Sequence, residues 1–203
     1  AMLNSFVDVV GTHEGWAANV VTSSSCSPVF GYDETVLAVW AHEPCSALKD
    51  FVANHYADYD AVLIASLWAS HLGMRSALAD DDYLLKLEQT LREISKTTPV
   101  YVFSDVPRLS VHPFRQAHFT RLGLEVDREL NDEHVRANAI VKEIVDQLPN
   151  AYWIDLSAAL ASFENLSTYA DKPTYFDDHH LNVYGARSLG ELFVQSGGSV
   201  LLK

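Results

Sequence analysis

The segment YFDDHHLNVYGA, residues 175–186, sets two carboxylates and two imidazoles side by side, Asp177 to His180, and then turns apolar. Four ionisable groups so close together are held there at a free-energy cost unless solvent or chemistry engages them. Asp177 and His180 stand three apart, just ahead of a helical pattern in VYGARSLGELFVQ, so one turn of backbone can bring them together. A carboxylate that accepts from one imidazole nitrogen sets the tautomer and leaves the other nitrogen to act as a general base. Asp178 and His179 are then expected to point elsewhere. A metal-bound water is the rival chemistry, because carboxylate and imidazole are both good ligands. Side chains of adjacent residues diverge, however. Further ligands would have to come from His42, His71, His112 or His118, and no spacing singles one out. Neither a metal nor a cofactor is expected.

These groups need a scaffold to position them. The apolar runs WAANVVTSSS (16–25), AVLIASLW (61–68), VYVFSDVP (100–107) and AYWIDL (151–156) each end in small or turn residues. Continuous apolar runs of this length suit strands buried on both faces of a parallel sheet. Helical spacing lies between them. Leu48, Phe51, Val52 and Tyr56 follow Ser46, while Leu84, Leu87, Leu91 and Ile94 share one face, as do Val141, Ile144, Val145 and Leu148. The alternation predicts an α/β fold, a three-layer α/β/α sandwich with a mostly parallel sheet, as a single domain over residues 1–203. In such sheets catalytic groups gather beyond the carboxyl ends of the strands, which directs attention to segments 23–35, 66–76, 104–122 and 156–182.

Composition narrows the class. The chain has 203 residues, 48% of them hydrophobic, and a net charge of −13. This balance fits a globular domain, and so acidic a chain disfavours nucleic acid as a partner, since phosphate affinity needs clustered Lys and Arg. No apolar run approaches the length of a membrane-spanning helix.

The spacing D-x-x-H-L-(S/N)-x-x-G-A resembles the last block of the SGNH hydrolase superfamily, with Asp177, His180, Leu181, Asn182, Gly185 and Ala186 in the matching positions. The chain is similar in particular to the SGNH domain fused to the acyltransferase-3 membrane proteins that O-acetylate surface polysaccharides. The features that favour this subgroup are a cysteine in SSSCSP, a second in HEPCSALKDF, and a strand ending in Trp, LIASLW. The resemblance extends over nearly the whole chain and implies an SGNH, flavodoxin-like sandwich. It also implies a Ser-His-Asp triad in which His180 is the general base and Asp177 orients it. The implied partners are an acyl donor, a carbohydrate acceptor and a membrane acyltransferase domain. The implied location is extracytoplasmic, on the periplasmic or cell-surface side, with a membrane tether. A non-catalytic glycan-binding or scaffolding domain is the alternative function.

The family carries its nucleophile in a G-D-S-(H/N) block at the end of the first strand. This chain contains no G-D-S, and AMLNSFVDVVGTHEGW reads as the helix that follows that block, with Leu3, Phe6, Val7 and Val10 on one side. The resemblance therefore implies that the serine and first strand lie outside these residues. Ala1 before Met2 then reads as a cloning remnant and the chain as a fragment; a natural loss of the block is the other reading. An absent strand would leave a gap between residues 17–23 and 61–67. Direct pairing, insertion of TVLAVW (35–40) or a strand from a neighbour would fill it.

In the family, the loops after the second and third strands supply oxyanion donors. Ser25, in the run Ser23–Ser25, and Trp68, in SLWA, hold those places. The Trp68 indole can donate but not accept. A solvated turn for Ser23–Ser25 and a packed strand-end Trp are the alternatives. The resemblance also puts Cys26 and Cys45 on the same side of the domain, where a disulfide would mark an extracytoplasmic compartment; two free buried thiols are the other reading. Finally, residues 107–123 concentrate Arg108, His112, Arg115, His118 and Arg121 in an acidic chain. This stretch reads either as a substrate lid or as an ordinary surface helix.

Overall fold

The computed structural model describes residues 3–33, 35, 37–72, 81–124, 132–164 and 167–201. The chain divides into two compact units. One comprises Val21–Asp105 and Val135–Ile154, and the other Ala1–Val20, Val106–His134 and Asp155–Lys203.

The first of these units holds the sheet. Strands β1 (Val62–Ile64), β2 (Val100–Phe103) and β3 (Ala151–Ile154) run parallel in that order, with Leu63 opposite Tyr101 and Tyr101 opposite Tyr152. All four residues of the central β2 are buried, which is why its run reads as continuously apolar. Helices α2 (Val39–His55), α3 (Trp68–His71), α4 (Asp81–Ser95) and α6 (Glu133–Asp146) connect or flank these strands. Leu87, Leu91 and Ile94 of α4 join Val141 and Val145 of α6 in one core cluster with Ile64, Val100 and Val102. The helical faces read from periodicity are thus the buried ones.

The first apolar run departs from expectation. Residues 16–23 form no strand, and Val20 and Val21 are 46% and 42% exposed. Among the described residues β1 pairs only with β2, so direct pairing of 17–23 onto β1 does not occur. Of the segment expected to insert, Val39 and Trp40 instead open α2 and face solvent. β-Propensity needs a neighbouring strand to express it, and without ladder bonds an apolar run stays irregular. Helix α2 also begins seven residues before Ser46 and runs through Pro44. Ala41 and Cys45 are buried on that turn, and packing there offsets the hydrogen bond that Pro44 cannot donate.

Cys26 and Cys45 form a disulfide, with Cα atoms 5.3 Å apart, that ties the turn at 24–27 to α2. Closing a loop of this length restricts the unfolded chain, so reduction is expected to lower stability by about 3 kcal/mol. Urea unfolding with and without reductant measures it, and unreduced protein should take up no alkylating agent.

His71 stacks on the buried Tyr83 ring, centroids 5.5 Å apart, and Tyr83 bonds Ser27 through its hydroxyl at 2.7 Å. Burial, and secondarily the charge of Lys49, push the His71 pKa down to about 4. The folded chain therefore keeps this ring neutral at pH values where the unfolded chain protonates it. Its contribution is complete above about pH 6.5 and falls as the pH drops towards 4, by about 3 kcal/mol at most. Thermal melts from pH 7 to 4 should show this decline, and His71→Gln should flatten it.

The second unit holds α1 (Asn4–Glu14), α5 (Pro113–Arg121), α7 (Ser157–Leu160), the hairpin β4 (Thr168–Tyr169) and β5 (Lys172–Pro173), and α8 (Val183–Gln195). Helices α1 and α8 pack together through Phe6 and Phe193, rings 5.4 Å apart, and through Gly190 against the Phe6 backbone. The Glu14 carboxylate, at the end of α1, accepts from Trp16 Nε1 at 2.7 Å and from the Val200 and Leu201 amides. This anchors the segment after α8 and, against the opposing effect of burial, lowers the Glu14 pKa.

Candidate active site

The loop between β5 and α8 is drawn into a tight hairpin. Tyr175 bridges to Leu181, the Phe176 amide donates to His180 O at 2.7 Å, and the Asn182 amide donates to Thr174 O at 2.9 Å. Tyr175 and Leu181 turn inward and are buried, which leaves residues 176–180 at the tip. Asn182 then caps α8, its Oδ1 accepting from the Gly185 amide at 2.8 Å, while its Nδ2 donates to Pro173 O and Tyr175 O.

At the tip Asp177 folds the backbone around its own side chain. Its Oδ1 accepts the amides of His179 at 2.9 Å and His180 at 2.7 Å, and its Oδ2 lies 2.7 Å from His180 Nδ1. Burial raises the Asp177 pKa, but the His180 ring and the two amides outweigh it and bring it to about 2. The carboxylate is therefore ionised, which assigns the proton to His180 Nδ1 and leaves Nε2 as the basic nitrogen. The His180 side chain is 46% exposed, and among the described residues no serine bonds to it. The expected pairing is the one seen.

Asp178 and His179 do not point away as expected. His179 Nδ1 is 2.6 Å from Asp178 Oδ1, and its ring lies beside the His180 ring, centroids 3.9 Å apart. Asp178 Oδ2 receives Arg108 Nε at 2.8 Å and also Arg108 Nη2. Burial opposes these bonds to His179 and Arg108, which nevertheless lower the Asp178 pKa. The sequence places Arg108 in a stretch that reads as a substrate lid or a surface helix, and 70 positions separate it from Asp178.

Asp177, His179 and His180 each offer a ligand atom within 4.8 Å of the others, so the divergence expected of neighbouring side chains is not found and the three could hold a metal ion. His42, His71, His112 and His118 lie outside that group. Each Nδ1 already faces a carboxylate at hydrogen-bond distance, an arrangement suited to proton transfer.

The oxyanion assignment to Trp68 is corrected. Trp68 is fully buried, and its indole N–H donates to Phe103 O at 2.8 Å, so its one donor is taken. The Ala69 amide that follows donates to Asp105 Oδ2 at 3.2 Å. Ser25 is exposed in a turn with φ of 60°. The hydroxyls of Ser23 and Ser66 are buried and have no hydrogen-bond partner among the described residues. In the 107–123 stretch, α5 exposes Phe114, Arg115, His118 and Arg121, while Pro107, Leu109 and Pro113 are buried.

The chain thus has a parallel α/β sheet and, at the start of the last helix, an Asp–x–x–His pair whose groups suit acid–base chemistry. The model of the SGNH domain fused to AT3 domains matches residues 1–195, and the chain belongs to that family. Among solved structures it is similar to the periplasmic domain of the lipopolysaccharide acetyltransferase of Salmonella ser. Paratyphi A. The TM-score is 0.66 and the identity 16%, over 96% of this chain and 78% of that one, a likeness of fold. No curated protein sequence matches.

Proposed function

We propose that this chain is the SGNH part of an O-acyltransferase or acetylesterase acting on surface carbohydrate, with a Ser-His-Asp triad completed by a serine from outside these 203 residues. The observation that carries the reading is the 2.7 Å contact of His180 Nδ1 with an Asp177 carboxylate whose pKa lies near 2, on a ring open to solvent. His180 Nε2 takes the serine proton as the serine oxygen attacks the acyl carbonyl, and Asp177 stabilises the imidazolium that forms. The proton then passes to the leaving group, and an acyl-enzyme remains. In the second half-reaction His180 takes the proton of a sugar hydroxyl, or of water, as that oxygen attacks the acyl carbon, and the serine oxygen leaves and recovers the proton from His180. Family membership supports a fused AT3 domain as the partner, and the Cys26–Cys45 disulfide supports an extracytoplasmic site with that domain as tether.

Nitrophenyl acetate hydrolysis tests the proposal. The 203-residue chain should turn over slowly or not at all, because a base without its nucleophile retains little catalysis. The same chain preceded by its natural upstream residues should be active. Robust turnover by the short chain, abolished by His180→Ala, would place the serine within it. An inactive longer chain that still binds oligosaccharide would instead establish a glycan-binding domain.

A further inference from the structure

Asp177 stands between two imidazoles. Its Oδ2 is 2.7 Å from His180 Nδ1, and its Oδ1 is 3.4 Å from His179 Nδ1. His179 is diverted, because its Nδ1 lies closer to Asp178 Oδ1, at 2.6 Å. Asp178 is held in turn. Arg108 grips its Oδ2 through Nε and Nη2, and the Leu109 amide donates to its backbone carbonyl at 2.7 Å. The hydroxyl of the buried Tyr175 donates to Pro107 O at 2.9 Å, so residues 107–109 are stitched to the hairpin on both sides of the Asp177 turn.

We propose that Arg108 is a positioning residue for the Asp177–His180 dyad: by holding Asp178 it draws the His179 ring away from Asp177 Oδ1 and leaves the His180 ring as the imidazole bonded to that carboxylate. The proposal rests on His180 being the base. A guanidinium fork that bonds through two nitrogens orders a carboxylate far better than solvent does. The Asp178 side chain is 31% exposed, and without the fork it would turn to water. His179 would then find Asp177 Oδ1 as its nearest acceptor, since its ring already lies against that of His180. A second imidazole donor on the same carboxylate shares its negative charge and weakens its hold on the Nδ1-protonated tautomer of His180.

Long-range proton–nitrogen correlation spectra of the 203-residue chain, at about pH 8 where histidine is ordinarily neutral, read the His180 tautomer directly. The native chain should show Nδ1-protonated His180. Arg108→Gln should give a tautomer mixture, and Arg108→Gln with His179→Ala should restore the native pattern because the competitor is gone. Asp178→Ala, which removes the alternative acceptor without touching Arg108, should give the same mixture and the same rescue. An unchanged tautomer in both single variants would overturn the proposal. So would a mixture that His179→Ala fails to reverse, because Arg108 would then act only by ordering the loop. These spectra need no serine, so failure of the esterase assay leaves them readable. In a serine-bearing active chain, Arg108→Gln should lower kcat by about tenfold with KM unchanged.

Discussion

In a chain that carries the nucleophilic serine, His180→Ala is expected to lower kcat by about ten-thousandfold with little change in KM. The alanine removes the group that takes the serine proton. The hairpin should survive, because the His180 main chain is held through its amide to Asp177 Oδ1 and its carbonyl to the Phe176 amide. Asp177→Asn is the sharper control and should cost about ten-thousandfold as well. An asparagine oxygen can still accept the His179 and His180 amides, but the neutral side chain no longer favours Nδ1-protonated His180 or stabilises its imidazolium. Because the Asp177 pKa lies near 2, activity should not decline through this carboxylate until the pH approaches that value. The same depression supports folding above about pH 3.8, and the support is lost as the pH falls towards 2. Nitrophenyl acetate kinetics combined with circular dichroism separate loss of chemistry from loss of fold.

Gly185→Ala is expected to destabilise the chain by about 3 kcal/mol or more, measured by urea unfolding. A Cβ at this position would lie 2.0 Å from Thr174 O and 2.7 Å from its carbon, so backbone rather than a mobile side chain would have to move. That same carbonyl accepts the Asn182 amide at the foot of the hairpin. Relief of the clash therefore pushes α8 away from the strand end that closes the loop bearing Asp177 and His180. The His180 tautomer should be disturbed along with stability. Gly190→Ala offers a milder comparison, about 1 kcal/mol, because its closest contact is Val9 Cβ at 3.1 Å. If Gly185→Ala unfolded no more easily than Gly190→Ala, the close seating of α8 on Thr174 would be wrong.

Local rules acting over a few residues made much of this chain legible from its sequence. The faces of α4 and α6 follow from a 3.6-residue period, and Leu87, Leu91, Val141 and Val145 are buried as that period requires. The Asp177–His180 pair follows from a spacing of three, within reach of one turn of backbone. Residues 16–25 had as apolar a pattern as the true strands, but a strand also requires a neighbour to bond to, and the pattern does not encode that neighbour. Whether the Trp68 indole N–H was free depended on Phe103 O, 35 positions away. The Arg108–Asp178 contact spans 70 positions and exists only because the chain after β2 returns to the hairpin before α8. The sequence by itself determined the helical faces and the dyad, because periodicity and short spacing are properties of a local backbone. The tertiary structure alone decided which apolar run became a strand and which donors and carboxylates were already engaged, because long-range pairing is set by where the folded chain brings distant segments together.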